Sequence, residues 1–167
     1  MSYQPELWSH FMSFIPAPLH PFVVHFPVCL LMLGLAMSFL CIFWSKYHLP
    51  VYTLICLALG AVTASIADAA AEMDLEQTLE ISESISALIS AHHEWGEAVI
   101  ASAWLAAALA LLSLVLAKRK ALILPIRCLT FIVLLYNTYV LYETGSRGAE
   151  LVHVHHFSTA MPAKTDN

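Results

Sequence analysis

Four long apolar segments alternate with short polar stretches along this chain of 167 residues. Each segment holds about 20 mainly apolar residues, which is the length an α-helix needs to cross the hydrocarbon core of a bilayer. Pro21 and Pro50 open the first two segments, as suits a first helical position, and Lys118 follows the third. We predict an all-α, integral membrane four-helix bundle with spans at about residues 22–43, 51–71, 98–117 and 121–142.

The long connection between spans two and three carries its own pattern of apolar and polar positions. We predict a turn at residues 71–74, because Asp74 followed by Gln77 resembles a capping box. Residues 75–90 would then form a short amphipathic helix on the outer surface, with acidic side chains in a row along one face. This row is either a solvated face or a docking patch for a basic partner.

The composition indicates a membrane domain with little else attached. The chain is 60% hydrophobic and 11% charged, whereas a soluble domain has about a quarter charged residues. We assign residues 1–19 to an outer N-terminal segment, 20–156 to the membrane domain and 157–167 to a polar tail. The first twenty residues lack Lys and Arg, so no signal peptide is expected.

No catalytic motif or cysteine motif stands out in the sequence. The four cysteines lie within apolar runs and form no CxxC pair, so we interpret them as packing residues. Serine hydrolase, nucleotide-binding and zinc protease motifs are missing as well. An electron-transfer or accessory subunit is therefore favoured over a stand-alone enzyme, and a nucleic-acid partner is not expected.

Charge is distributed unequally between the two sides of the predicted bundle. Five of the seven basic residues flank the short loops, and an excess of Lys and Arg marks the cytoplasmic side. One of them, Arg127, lies about two turns into span four and is expected to snorkel to the inner interface. Both termini, all twelve acids and eight of the nine histidines then face outward. We expect a bacterial inner membrane protein with periplasmic termini.

The outward histidines cluster near the ends of the spans. His20 precedes Pro21 at the mouth of span one, and His25 lies deeper, about 140° away around the helix. An ionisable residue inside an apolar run is by default a functional hypothesis, so His25 is the strongest candidate. Asp68 ends span two and either orients an imidazole or is an ordinary interfacial acid. The remaining candidates are His92, His93, His153, His155 and His156.

Three stretches resemble a known family. HPFVVHFP, at residues 20–27, resembles the HPxxVHFP opening of a family of bacterial four-span membrane proteins classed as a domain of unknown function. GAVTASIAD resembles that family's second span, and GAELVHVHH resembles its closing motif. The resemblance implies a four-span fold and a ligand set carried over as His20, His25, His93 and His155, with Asp68 alongside.

A b-type haem in electron transfer is the first functional expectation. Four-helix bundles build cofactor sites from inward side chains on facing helices, and haem iron takes axial histidines. His25 and His93 form the first expected axial pair, and His20 with His155 forms a second or serves the haem propionates. One or two haems would then exchange electrons with a periplasmic c-type cytochrome or a larger respiratory complex docked on the acidic outer face.

Two alternatives stay open from the sequence. The same histidines, with Asp68 in support, suit a Zn or Cu site, which needs its ligands to converge on one point. Either kind of centre would use His20, His25, His93 and His155 first, and His92, His153 and His156 less certainly. A cofactor-free accessory subunit of a membrane complex is the other alternative.

Overall fold

The chain forms a bundle of four long helices in the part described by the structure, a computed structural model covering residues 19–44, 48–76 and 83–153. Each span is long and apolar enough to cross a membrane. This confirms the predicted all-α four-span architecture. Span one comprises α1 (His20–Val23) and α2 (His25–Phe43); spans two, three and four are α3 (Leu49–Glu76), α4 (Glu83–Val115) and α5 (Lys120–His153).

Consecutive spans run in opposite directions and pack side by side. Span one contacts span two, span two contacts span three, span three contacts span four, and span four closes the ring against span one. Spans one and three therefore occupy opposite corners. We call the end of the bundle where spans one and three begin the histidine end, and the opposite end the basic end, since Lys118, Arg119 and Lys120 lie there.

Two prolines shape the beginning of span one. Pro21 lies in the first turn of α1, where its missing N–H would have no partner in any case. Pro27 also lacks an N–H, so the carbonyl of Val23 loses its usual helical partner. The regular α-helix is interrupted at Val24, which separates α1 from α2. The two pieces nevertheless form one span of 24 residues.

Small residues fill the interior and bring the helices close together. Alanines on spans two and three form much of the core, and they include the fully buried Ala61, Ala103 and Ala106. Gly34 packs directly on Leu57, and a Cβ added to Gly60 would lie 2.9 Å from Leu31 Cδ2. Close approach through small residues is the usual way in which membrane helices associate, because lipid supplies no hydrophobic drive between them.

The outward faces of the bundle are apolar. Large hydrophobic side chains are exposed on every span, as expected of surfaces that contact acyl chains. They include Phe39, Ile55, Leu105, Leu111, Ile132 and Leu135.

The connection between spans two and three differs from the prediction. The turn predicted at residues 71–74 is wrong, because α3 runs without a break to Glu76. Residues 83–90 are the first turns of the long helix α4 and form no separate amphipathic helix. Residues 77–82 lie outside the described part. The helix continues because Asp74 is not a local cap: it is buried against the beginning of span one.

Candidate functional site

His20 is held at the start of span one by a contact to span two. Its Nδ1 lies 2.7 Å from the carbonyl oxygen of Ala67. A carbonyl only accepts hydrogen bonds, so Nδ1 carries the proton and donates it. The neutral ring then presents Nε2, with its lone pair, as the nitrogen able to bind a metal.

His92 is held in the same way by span four. Its Nδ1 donates to the carbonyl oxygen of Thr144 at 2.9 Å, and this again leaves Nε2 as the ligand nitrogen. Gly148 lies one turn further along span four and makes room for the ring. A Cβ at this glycine would stand only 3.1 Å from His92 Cε1.

The two imidazoles meet although they come from opposite corners of the bundle. Their ring centroids are 6.2 Å apart and the ring planes are nearly perpendicular, at 86°. His20 belongs to span one and is anchored on span two, whereas His92 belongs to span three and is anchored on span four. All four spans therefore contribute to the placement of this one pair of rings, which we call the axial pair.

Asp74 holds the backbone at the start of span one, at Leu19 and His20. Its two carboxylate oxygens accept hydrogen bonds from the backbone N–H groups of Leu19, at 3.1 Å, and of His20, at 2.8 Å. The first N–H groups of a helix have no partner within the helix, and a carboxylate also suits the positive end of the helix dipole. Asp74 is 8% exposed. Span two thus caps span one and supplies the carbonyl that orients its histidine.

His93 belongs to a different set of contacts. Its Nδ1 lies 3.3 Å from Asp68 Oδ1, and its Nε2 lies 3.6 Å from Glu97 Oε1. Both ring nitrogens thus face carboxylates, and the ring is 41% exposed. Asp68 does face an imidazole, as one reading of the sequence proposed, and the imidazole is that of His93.

His25 contacts its own span. Its side chain is exposed, and its Nδ1 lies 2.8 Å from the carbonyl oxygen of Pro21 in its own span. His153 is exposed at the end of α5. His155 and His156 lie outside the described residues. Of the histidines predicted for the site, His20 and His92 are therefore the two whose rings the structure brings together.

An aromatic and charged group lies on spans three and four at the same end. The Arg147 guanidinium carbon lies 4.7 Å from the centroid of the Trp95 ring, and Nη1 of the same arginine is 2.5 Å from Glu143 Oε2. Trp95 in turn meets Tyr139 edge to face, with ring centroids 6.0 Å apart. These contacts fix the relative position of the two helices that carry His92 and Thr144.

The places of His20 and His92 follow the spacing of the buried residues on their helices. Pro27 and Gly34 are buried on span one and lie seven residues apart. His20 lies seven residues before Pro27. On span three the buried Val99 lies seven residues after His92. A spacing of seven is nearly two full turns. His20 and His92 thus belong to the inward stripes of their helices, whereas His25 and His93 do not.

Among the residues that the structure describes, no group of three or more His, Cys, Asp or Glu side chains is arranged to hold one metal ion. The arrangement found is a pair. Two imidazoles, each oriented through Nδ1 by a backbone carbonyl, match the way in which proteins orient metal-ligating histidines. These are the two side chains here that could supply imidazole ligands to a shared metal.

Comparison with known families bears out the resemblance seen in the sequence. The chain belongs to a family described as predicted membrane protein (DUF2231), whose pattern matches residues 16–161. The match covers all four spans and both imidazoles of the axial pair, so this is an integral membrane protein in contact with the lipid bilayer. No curated protein and no solved structure matches it.

Proposed function

We propose that this protein is a membrane-integral b-type haem protein that transfers electrons, with His20 and His92 as the two axial ligands of one haem iron. The observation that carries the proposal is the axial pair itself. Its rings come from opposite corners of the bundle, and each is oriented by a carbonyl of the next span.

The separation of the rings is compatible with a shared metal atom. Two metal–nitrogen bonds of about 2 Å each, with an imidazole on either side, place the ring centres roughly 6 Å apart. The observed separation is 6.2 Å. Donation from each Nδ1 to a carbonyl also raises the basicity of Nε2 and fixes the tautomer that binds metal.

The number of ligands favours haem over a bare ion. A haem iron takes its two axial ligands from the protein, and the macrocycle provides the others. A structural zinc ion takes four ligands from side chains, so the axial pair would need two more. His155 and His156 are the candidates for that second function, a Zn or Cu site at the histidine end.

Charge at the histidine end supports an electron-transfer partner with a basic surface. Exposed acids there include Glu72, Glu94, Glu97 and Glu150. By the distribution of Lys and Arg, this end faces the periplasm of a bacterial inner membrane. A periplasmic c-type cytochrome, or a larger respiratory complex, would dock there through complementary charge.

The test is a reduced-minus-oxidised visible spectrum of the detergent-purified protein, produced with an ample haem supply, with metal analysis of the same sample. The sharp α-band of a low-spin b haem, at one haem per chain, is the expected result. Stoichiometric Zn or Cu in a sample whose spectrum shows no haem band would favour the Zn or Cu site over the haem proposal. A flat spectrum without metal would leave a cofactor-free accessory subunit.

A further inference from the structure

A small cavity with several polar side chains in its wall lies between the four spans toward the basic end, away from the axial pair. All four spans contribute to its wall, and four hydroxyl side chains face it. These four are buried, between 2% and 5% exposed. The residues lining the cavity are Ser38, Cys41, Pro50, Thr53, Ala110, Ser113, Arg127 and Thr130.

Arg127 supplies the charge of this cavity. Its Nη1 donates to the carbonyl oxygen of Cys41 on span one at 2.9 Å, so the guanidinium turns into the bundle instead of extending to the interface as predicted. Its Nε is buried and, within the described residues, has no hydrogen-bond partner. A buried donor left without an acceptor destabilises the folded state, and more so when it belongs to a charged group.

Three of the four hydroxyls around the cavity donate their protons to carbonyls of their own helices. Thr53 Oγ1 donates to Leu49 O at 2.9 Å, Ser113 Oγ donates to Ala110 O at 2.8 Å, and Thr130 Oγ1 donates to Ile126 O at 2.8 Å. A hydroxyl has one proton to give and two lone pairs. These three side chains therefore present acceptor oxygens to the cavity, and Arg127 Nε–H presents a donor.

We infer that this cavity binds one ordered water molecule, which accepts from Arg127 Nε–H and donates to two of the three hydroxyl oxygens. Water has the required two donors and an acceptor lone pair, whereas a halide ion would face the lone pairs of these three hydroxyls. The cavity volume of about 10 Å³ is at the lower limit of the space that one water molecule needs. Buried waters typically satisfy about three otherwise unpaired polar groups, as this one does.

The water adds a polar link between spans to the contacts that Cys41 of span one already makes with Thr53, at 3.4 Å, and with Arg127. Arg127 and Thr130 belong to span four, Thr53 belongs to span two and Ser113 belongs to span three. Through the water, the guanidinium of span four reaches a hydroxyl on at least one of spans two and three, and it reaches span one directly at Cys41. The charge is thereby hydrated inside the bundle, where an unsolvated guanidinium is costly.

The first test is a crystal structure grown in a lipid phase from sodium bromide, at a resolution that shows ordered water. Density for a water within hydrogen-bond distance of Arg127 Nε and at least one of the three hydroxyl oxygens is expected. An anomalous bromide peak at that position would overturn the inference in favour of an anion. An empty cavity, with Nε bonded to another protein group, would also overturn it.

The second test uses thermal unfolding and does not depend on crystals. Thr130→Val removes an acceptor from the water, whereas Thr138→Val removes a hydroxyl that makes the same i−4 contact, at 2.9 Å to Leu134 O, on the same helix. We expect Thr130→Val to lower Tm by about 3 °C more than Thr138→Val. Thr130→Ser should restore it. Equal effects of the two valine variants would contradict a bound water at Thr130.

The thermal test also separates water from an anion. With a water, the Tm of the wild-type protein should be the same in chloride and in gluconate at equal ionic strength. A bound ion stabilises the folded protein by mass action. A wild-type Tm that rises with chloride concentration, together with a lower Tm in the Arg127→Met variant, would therefore overturn the inference.

Discussion

The rings of His20 and His92 lie 6.2 Å apart, centroid to centroid, although the two residues belong to spans at opposite corners of the bundle. Each ring can cross toward the bundle axis because a backbone carbonyl of the neighbouring span, that of Ala67 or Thr144, fixes its Nδ1. The pair is therefore a product of the whole four-span arrangement, and disturbing any one span should disturb it.

Gly148→Ala should perturb His92 directly. The new Cβ would stand 3.1 Å from His92 Cε1, and the ring cannot retreat freely, since Thr144 O holds its Nδ1. We expect a several-fold lower haem content and a shifted midpoint potential, measured by pyridine haemochrome and potentiometry. Gly145→Ala is the control on the same helix, because nothing lies within 4 Å of its added Cβ. Equal haem content and potential in both variants would contradict this role of Gly148.

Asp74→Ala should destabilise the histidine end. The substitution leaves the N–H groups of Leu19 and His20 without their carboxylate acceptor, at a cost of roughly 2 kcal/mol or more. Asp74→Asn keeps one acceptor oxygen and should lose less. Thermal unfolding of detergent-solubilised protein measures both. Glu72→Gln, an exposed acid on the same helix, is the control, and an equal loss in that variant would refute the capping role.

Gly34→Ala should destabilise the core of the bundle. The added methyl group would collide with the side chain of Leu57, which is fully buried and surrounded by packed neighbours. Overpacking of this kind typically costs about 1–3 kcal/mol, and it should appear as a lower Tm. Gly145→Ala adds the same methyl group to open space and should be neutral or stabilising by up to about 1 kcal/mol. A neutral Gly34→Ala would show that spans one and two pack less closely than described.

Orientation in the membrane can be tested with reporter fusions. A reporter enzyme that folds only in the oxidising periplasm should be active when fused after His153, at the histidine end. The same reporter fused after Lys118, at the basic end, should be inactive. Activity only in the Lys118 fusion would reverse the sidedness and remove the periplasmic partner from the proposal.

The spans themselves were predictable because they depend on length and hydropathy alone. The end of span two was not, and Asp74 shows why. Followed by Gln77, it has the local pattern of a helix cap, and so the sequence predicted a turn. In the structure Asp74 caps a different helix, and α3 continues past it to Glu76. A sequence pattern does not show which helix a capping side chain serves.

The candidate site was predictable as a cluster of histidines at one end, but not as a particular pair. Depth within an apolar run favoured His25, whereas the direction of a side chain depends on the helix face. His20 lies seven residues before the buried Pro27, and His25 lies only two residues before it, on nearly the opposite face. The contacts of His20 and His92 with backbone carbonyls depend on helix packing and leave no trace in the sequence.

The most direct test of the axial pair is the haem-to-protein ratio of three single variants purified in parallel with the wild type. His20→Ala and His92→Ala should each lose haem at least several-fold, and added imidazole should restore binding to His92→Gly. His25→Ala should retain the wild-type ratio, because its side chain is exposed and bonded within its own span. Loss of haem in His25→Ala, with full haem in His20→Ala and His92→Ala, would contradict the account.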